Sequence, residues 1–302
     1  MENGKVIVHL SGGFGNQLFS YAFGYALSKK RSQPLWIDTA IQDEDWFFRN
    51  PDILSMNITY DRRLSYPIKK DLPSRALLNK IRFRSAIGFQ TKEIKEDKLA
   101  GSPVEVLQYC VKYPASSIYA RGNWQREAFF EEFSNDIKSR FKFNTEKPFE
   151  FAALEDELRK NPASVGIHYR RGDYVRIGVS PSPEYFLKAM ELLSNVLSNP
   201  VFYVFSEDLN WVKDQFKSLP YDIRYPDAKP SDGNKGILDF RLLSACSHQI
   251  ISNSSYSWWA AWLNENPEKK IIFPYIEGHS LWDKDFGASG WISIPFTTLP
   301  KT

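Results

Sequence analysis

The sequence is short of the residues that crosslink a chain or clip it to a metal. Only two of its 302 residues are cysteine, Cys110 and Cys246, and only four are histidine. The cysteines stand far apart, form no C-x-x-C and give no disulfide framework, which fits a reducing compartment. An excess of one charge is also lacking: 39 basic against 36 acidic residues leave a net charge of +3. That balance gives no electrostatic argument for nucleic acid. No long apolar run opens the chain; Val6 to Leu10 is short and leads straight into glycines. Neither a signal peptide nor a membrane anchor is expected, and a cytoplasmic protein is. Asn57-Ile-Thr59 and Asn253-Ser-Ser255 fit the glycosylation pattern, but without a secretory signal both are read as chance.

Two nucleotide-binding signatures are missing as well. Ser11-Gly-Gly-Phe-Gly-Asn-Gln17 follows a short apolar strand, and Asp38 ends the next one. Gly13 and Gly15 supply the first two glycines of G-x-G-x-x-G. The third position is Leu18, where close helix–strand packing asks for the smallest residue, and this counts against a dinucleotide site. No Gly-Lys-Ser/Thr follows, so it is no P-loop either. A tight loop at a helix N-terminus remains, a place that favours anions, with Asn16 and Gln17 as side-chain donors. Asp43-Glu-Asp45 and Asp283-Lys-Asp285 match the D-x-D pattern of many metal-dependent sugar-nucleotide enzymes, yet neither follows a convincing strand. No metal site is expected.

What is present is an ordinary globular composition, 42% hydrophobic and 25% charged, with abundant aromatics at 15%, mostly core rings. Strand, glycine loop, helix and strand over 5–37 open an α/β layer, with Phe19, Ala22, Phe23, Ala26 and Leu27 at helical spacing. Ser117–Ala120 reads as a strand, Phe129 to about Lys142 as a helical segment, and Asn144–Pro148 as a linker. We set a domain boundary near residue 150, giving units 1–150 and 151–302. The second half alternates strand and helix: Val201–Phe205, Gln249–Ile251, a helix over Ile237–Ser244 and another from Trp258. That pattern predicts a parallel sheet.

The second half is organised around Val165-Gly-Ile-His-Tyr-Arg-Arg-Gly-Asp-Tyr174. Adjacent guanidiniums repel unless something anionic neutralises them, and their planar forks match phosphate. An Arg–Asp surface turn is the plain alternative. Two more polar clusters, Ser206–Asp208 and Ser252–Ser255, also fall at strand ends, where open α/β sheets bind ligands. Arginines on one strand end and serines on another suggest two sides of a pyrophosphate site.

Together these residues resemble glycosyltransferase family 11, the α-1,2-fucosyltransferases, in its bacterial branch. Four motifs carry the resemblance in order: Gly12–Phe23, His168–Tyr174, Phe205–Asp208 and Ile250–Trp262. The resemblance implies a GT-B architecture, two Rossmann-like α/β domains facing across a cleft, with the acceptor side in the first. It implies inverting transfer of fucose from GDP-fucose to the 2-hydroxyl of a galactose-terminated acceptor, without metal or other cofactor. It implies that Arg170 grips the pyrophosphate, with Arg171 in support. His168 and Asp239 serve the guanine and ribose end, Ser254 and Ser255 the phosphates, and Gly15 and Asn16 the fucose and phosphates. Asp173 is either the base that takes the acceptor proton or an arginine-orienting group; His9 is a more distant candidate base. The alternatives are a fucosyltransferase of another linkage or sugar donor, and a non-catalytic GDP-sugar or glycan binder. The basic run Lys69–Lys98 is read as a solvated face, with contact to an anionic membrane as the sharper alternative.

Overall fold

The computed structural model describes residues 4–39, 52–64, 83–144, 149–226 and 235–299. The chain divides into two compact units, Met1–Thr145 and Glu146–Thr302. Asp43-Glu-Asp45 and residues 69–82 of the basic run lie outside the described residues.

The first unit carries strands β1 (Val6–His9), β2 (Leu35–Asp38), β3 (Arg62–Leu64), β4 (Lys92–Lys95) and β5 (Ile118–Arg121), in the order β3-β2-β1-β5-β4. All pairs are parallel. Parallel neighbours need crossover connections, which suits helices between strands. The helix Phe14–Arg31 begins at the glycine loop, four residues earlier than its apolar repeat suggests. From Phe14 to Ser28 every residue except Asn16 is buried, so this is a core helix rather than a one-sided one. Its polar groups are therefore tied. Tyr21 and Ser20 donate to the carbonyls of Thr59 and Gly122, and Tyr25 to the Asp136 carboxylate. The close approach of helix to strand falls at Gly24, where a Cβ would lie 2.8 Å from Val8. At the helix end Arg31 collects four carbonyls, of Cys110, Val111, Tyr113 and Ala115, at 2.7–3.1 Å. It thereby closes the exit of the helix Pro103–Lys112. That helix starts on a complete capping box, with Ser102 and Glu105 bonding each other's backbone.

Sequence reading put one helical segment over Phe129–Lys142. The structure has two 3₁₀ turns, Glu127–Phe129 and Glu131–Phe133, and then a short helix Ser134–Arg140. Phe129, which would have been a helix face, instead packs edge-on against Trp124 and Phe23. Of the basic run, Phe83 packs against Tyr119 at 5.0 Å and Ile87 joins the same buried cluster, so these apolar residues serve the core.

The second unit carries β6 (Ser164–His168), β7 (Val201–Phe205), β8 (Asp222–Arg224), β9 (His248–Ile250), β10 (Ile271–Tyr275) and β11 (Ile292–Pro295), in the order β11-β10-β9-β6-β7-β8, again all parallel. Side chains alternate along β6. Val165, Ile167 and the following Tyr169 pack with Phe186, Met190, Val212 and Phe216 of the helices Pro183–Ser194 and Leu209–Phe216. Gly166 faces the other way, and a Cβ there would lie 2.7 Å from Leu243 and 3.1 Å from Cys246. The helix Lys235–Ala245 can lie on the sheet because that position is glycine. The helix Ser255–Trp262 adds Trp258 and Trp259, both fully buried. No helix among the described residues is long and apolar enough to cross a membrane.

Candidate functional site

Three strand ends converge in the second unit because β6 lies between β7 and β9. The chain leaves β6 at His168, β7 at Phe205 and β9 at Ile250, so His168–Asp173, Ser206–Asp208 and Ser252–Ser255 emerge side by side. Ser252 ties two of these segments. Its hydroxyl accepts the Arg170 N–H at 2.9 Å and donates to the His168 carbonyl at 2.8 Å. The Ser180 hydroxyl closes on the Arg170 carbonyl at 2.9 Å.

The two arginines differ in setting. Arg170 pairs through Nη2 with Asp173 at 2.7 Å and through Nη1 with Glu207, and it lies 5.3 Å from the Tyr174 ring. Arg171 is buried; its guanidinium lies 3.4 Å from the Trp211 ring centre and its Nε bonds Asp208 at 3.0 Å. Asp208 in turn accepts the Trp211 N–H and caps the helix Leu209–Phe216. Arg171 thus fastens the motif to the next helix, and Arg170 lies in the more open position.

His168 continues the face opposite Ile167 and meets the Tyr256 ring at 5.0 Å. Burial, reinforced by the Arg170 charge, lowers its pKa to about 3. The ring is therefore neutral at working pH, able to accept one hydrogen bond and donate another. The sign of the stability effect follows. An unfolded chain's histidine binds a proton below about pH 6.5, the folded one only near 3, so stability falls as pH drops through that window. Urea titrations should show a shallower loss between about pH 6.5 and 4 for His168→Gln than for the parent chain. An equal slope would mean that His168 is not held neutral in the fold.

Asp239 bonds Lys235 at 3.1 Å. Burial pushes the Tyr256 phenol up, with Asp239 adding to the shift and Arg170 opposing it. Tyr256 is thus the shared neighbour of His168, Asp239 and Arg170. Ser254 precedes the helix Ser255–Trp262 but makes no side-chain cap. The Tyr174 hydroxyl donates to the neighbouring Asn253 carbonyl at 3.4 Å, while Ser255 opens the helix.

Four buried side-chain atoms here have no partner: His168 Nδ1, Arg170 Nε, Arg171 Nη1 and Asn253 Oδ1. Buried polar atoms are almost always bonded, so four orphans at one set of strand ends set this region apart from the rest of the unit's interior. Asn253 is also 1% exposed, which closes its sequon to glycosylation.

The first unit places its motif residues as follows. Gly15 is buried in the first helical turn, and Asn16 accepts from the Gln125 carboxamide at 2.8 Å. The amides of Asn16 and Gln17 both donate to the Gly13 carbonyl. His9 and Asp38 bracket Tyr119, whose hydroxyl reaches His9 Nδ1 at 3.0 Å and Asp38 Oδ2 at 2.8 Å. All three are buried, so His9 and Asp38 serve an internal network. Asp283 spends its carboxylate on the Asp285 amide, and no group of three or more metal-ligating side chains occurs among the described residues.

Sequence reasoning gave no individual role to Glu207, Ser252, Tyr256 or Trp211. Their signal was present in part: an acidic pair after β7 stands directly beside two arginines after β6.

Residues 51–294 match the model of glycosyl transferase family 11. An alpha-1,2-colitosyltransferase of Escherichia coli is 30% identical over 302 residues, covering 96% of this chain and 98% of that one. Galactoside alpha-(1,2)-fucosyltransferase 2 of Oryctolagus cuniculus is 24% identical over 274 residues, covering 87% of this chain and 68% of that one. Among solved structures, NodZ alpha-1,6-fucosyltransferase soaked with GDP-fucose superposes with a TM-score of 0.51 at 17% identity, covering 87% of this chain and 93% of that one. That last likeness shows the fold: α/β, of GT-B type, with two Rossmann-like units. The chain belongs to glycosyl transferase family 11.

Proposed function

We propose that the protein is a galactoside α-1,2-L-fucosyltransferase that transfers fucose, with inversion, from GDP-β-L-fucose to the 2-hydroxyl of a terminal galactose. The observation that carries this reading is the convergence of the Arg170–Arg171 motif and the Ser252–Ser255 motif at adjacent parallel strand ends. The names of the rabbit relative and of the NodZ structure support the sugar and the donor. The chemistry is one in-line displacement through an oxocarbenium-like transition state. The bond from the sugar's anomeric carbon to the β-phosphate oxygen breaks as the galactose oxygen bonds that carbon, and GDP leaves. Negative charge grows on the departing phosphate, and fixed donors stabilise it as it develops. Arg170 supplies that charge and Arg171 Nη1 supports it. Ser254 and Ser255 donate to the phosphates, His168 and Asp239 hold the guanine and ribose end, and Gly15 and Asn16 contact the fucose and phosphates.

The acceptor proton passes to a phosphate oxygen or a carboxylate. Asp173 is already occupied by Arg170 Nη2, which supports its orienting role over its role as the base. Two guanidiniums take the place a divalent ion has in other sugar-nucleotide enzymes, and the reading is metal-independent. Both cysteines are free and buried, as suits a reducing cytoplasm, where lipid-linked glycan precursors would be the acceptors.

The test is product analysis after incubation with GDP-fucose and lactose in EDTA. The expected product carries α-1,2-linked fucose on galactose, assigned by NMR. A different linkage, or a requirement for added metal, would overturn that part of the reading. The colitosyltransferase relative favours one second reading, the same transfer from a GDP-colitose donor. Competition between the two GDP-sugars decides it by the ratio of kcat/KM values.

A further inference from the structure

The arginine pair is not bare. Asp173 lies on Arg170, Asp208 on Arg171, and Glu207 also pairs with Arg170. Two guanidiniums against three carboxylates leave the cluster one unit negative, a field that opposes a diphosphate. Two of the carboxylates have a further structural duty. Asp208 caps the helix Leu209–Phe216, and Asp173 sits in the first turn of the short helix Gly172–Ile177 beside the arginine it holds. Glu207 caps nothing. Its Oε1 meets the Arg170 guanidinium and its Oε2 accepts the Arg171 backbone N–H at 3.2 Å. A guanidinium N–H together with a backbone N–H is a donor pair that a phosphate takes with two of its oxygens. The Glu207 side chain is 37% exposed, so it has a route into water.

We propose that Glu207 is a built-in stand-in for the donor's phosphate. In the free enzyme its carboxylate holds the two donors, and the nucleoside diphosphate binds by displacing it. With Glu207 turned outward, two guanidiniums face two carboxylates, and the cluster accepts the diphosphate without the extra negative charge. After transfer the carboxylate competes with GDP for the same donors, so Glu207 sets the affinity for donor and product alike. This inference rests on reading the strand ends as the donor site.

The experiment is calorimetric titration of GDP, and separately of inorganic pyrophosphate, into the full-length parent and Glu207→Gln. Glutamine keeps the length and an acceptor for the Arg171 amide but removes the charge. GDP should bind Glu207→Gln about tenfold more tightly, the size expected when a charge-assisted contact no longer has to be broken, and pyrophosphate should follow in the same direction. A residue that merely aligns Arg170 would give the opposite sign, so equal or weaker binding overturns the inference. Melting without ligand checks that the variant folds. Should it not fold, Glu207→Asp, which draws the carboxylate back by one methylene, is measured instead with the same expected direction. GDP binding to both proteins with equal Kd leaves the donor site standing and removes only the stand-in. GDP binding to neither removes both.

Discussion

Arg170→Ala should lose about 10²–10³-fold in transfer rate while the fold survives, because fixed donors at a developing anion are worth that much. The backbone at this position does not depend on its side chain. Ser252 holds the amide and Ser180 the carbonyl, each at 2.9 Å. The carboxylates that the change releases, Asp173 and Glu207, have side chains 27% and 37% exposed, so water can solvate them. Circular dichroism and melting should therefore show a native chain, with turnover nearly absent. Arg170→Lys should recover little, since an ammonium restores the charge but not the planar fork that meets Asp173 and Glu207 on separate nitrogens. Near-normal turnover by folded Arg170→Ala would remove the pyrophosphate assignment.

Trp258→Ala should cost about 3–5 kcal/mol of stability, the range for deleting a large buried ring. The indole is fully buried against Trp259, Trp262 and Trp291, with ring centres 5.0, 6.2 and 5.3 Å away. Its Nε1 donates to the Phe286 carbonyl, and the change leaves that buried oxygen without its donor. The readout is the urea midpoint of unfolding. The same change should raise the donor KM, because Ser254 and Ser255 form the start of the helix that Trp258 anchors. A stability loss below about 1 kcal/mol would show that the remaining tryptophans hold the helix without it.

Where a residue's neighbours in sequence are also its neighbours in space, the sequence is easy to read. Val165 and Ile167 alternate with Gly166 and His168, and that alone announces a strand with two faces and a polar end. The serine and arginine clusters could be matched because parallel strands must end on one edge of the sheet. Readings failed where the partner comes from far along the chain. Nothing local marks Gly24 as the point where the helix touches Val8. Phe129 looked like the start of a helix until Phe23, from the first helix, supplied a different home for its ring. Glu207 was visible only as a letter in a motif. Its meaning depends on β6 and β7 lying side by side, which puts an acidic residue from one on the arginines of the other.

The strand order of the first unit also bears on how the protein is made. β1 lies between β2 and β5, and Val6 pairs with Ile118, 112 residues further on. At synthesis rates of about 5–20 residues per second, the first strand waits roughly 6–22 s for its second neighbour to be translated. Phe23 waits as long for Trp124, the ring it stacks on at 3.7 Å. For that interval the most deeply buried helix of the unit has no complete shelter. A nascent chain stalled before residue 118 should therefore hold its chaperones, and one extended past Phe130 should release them.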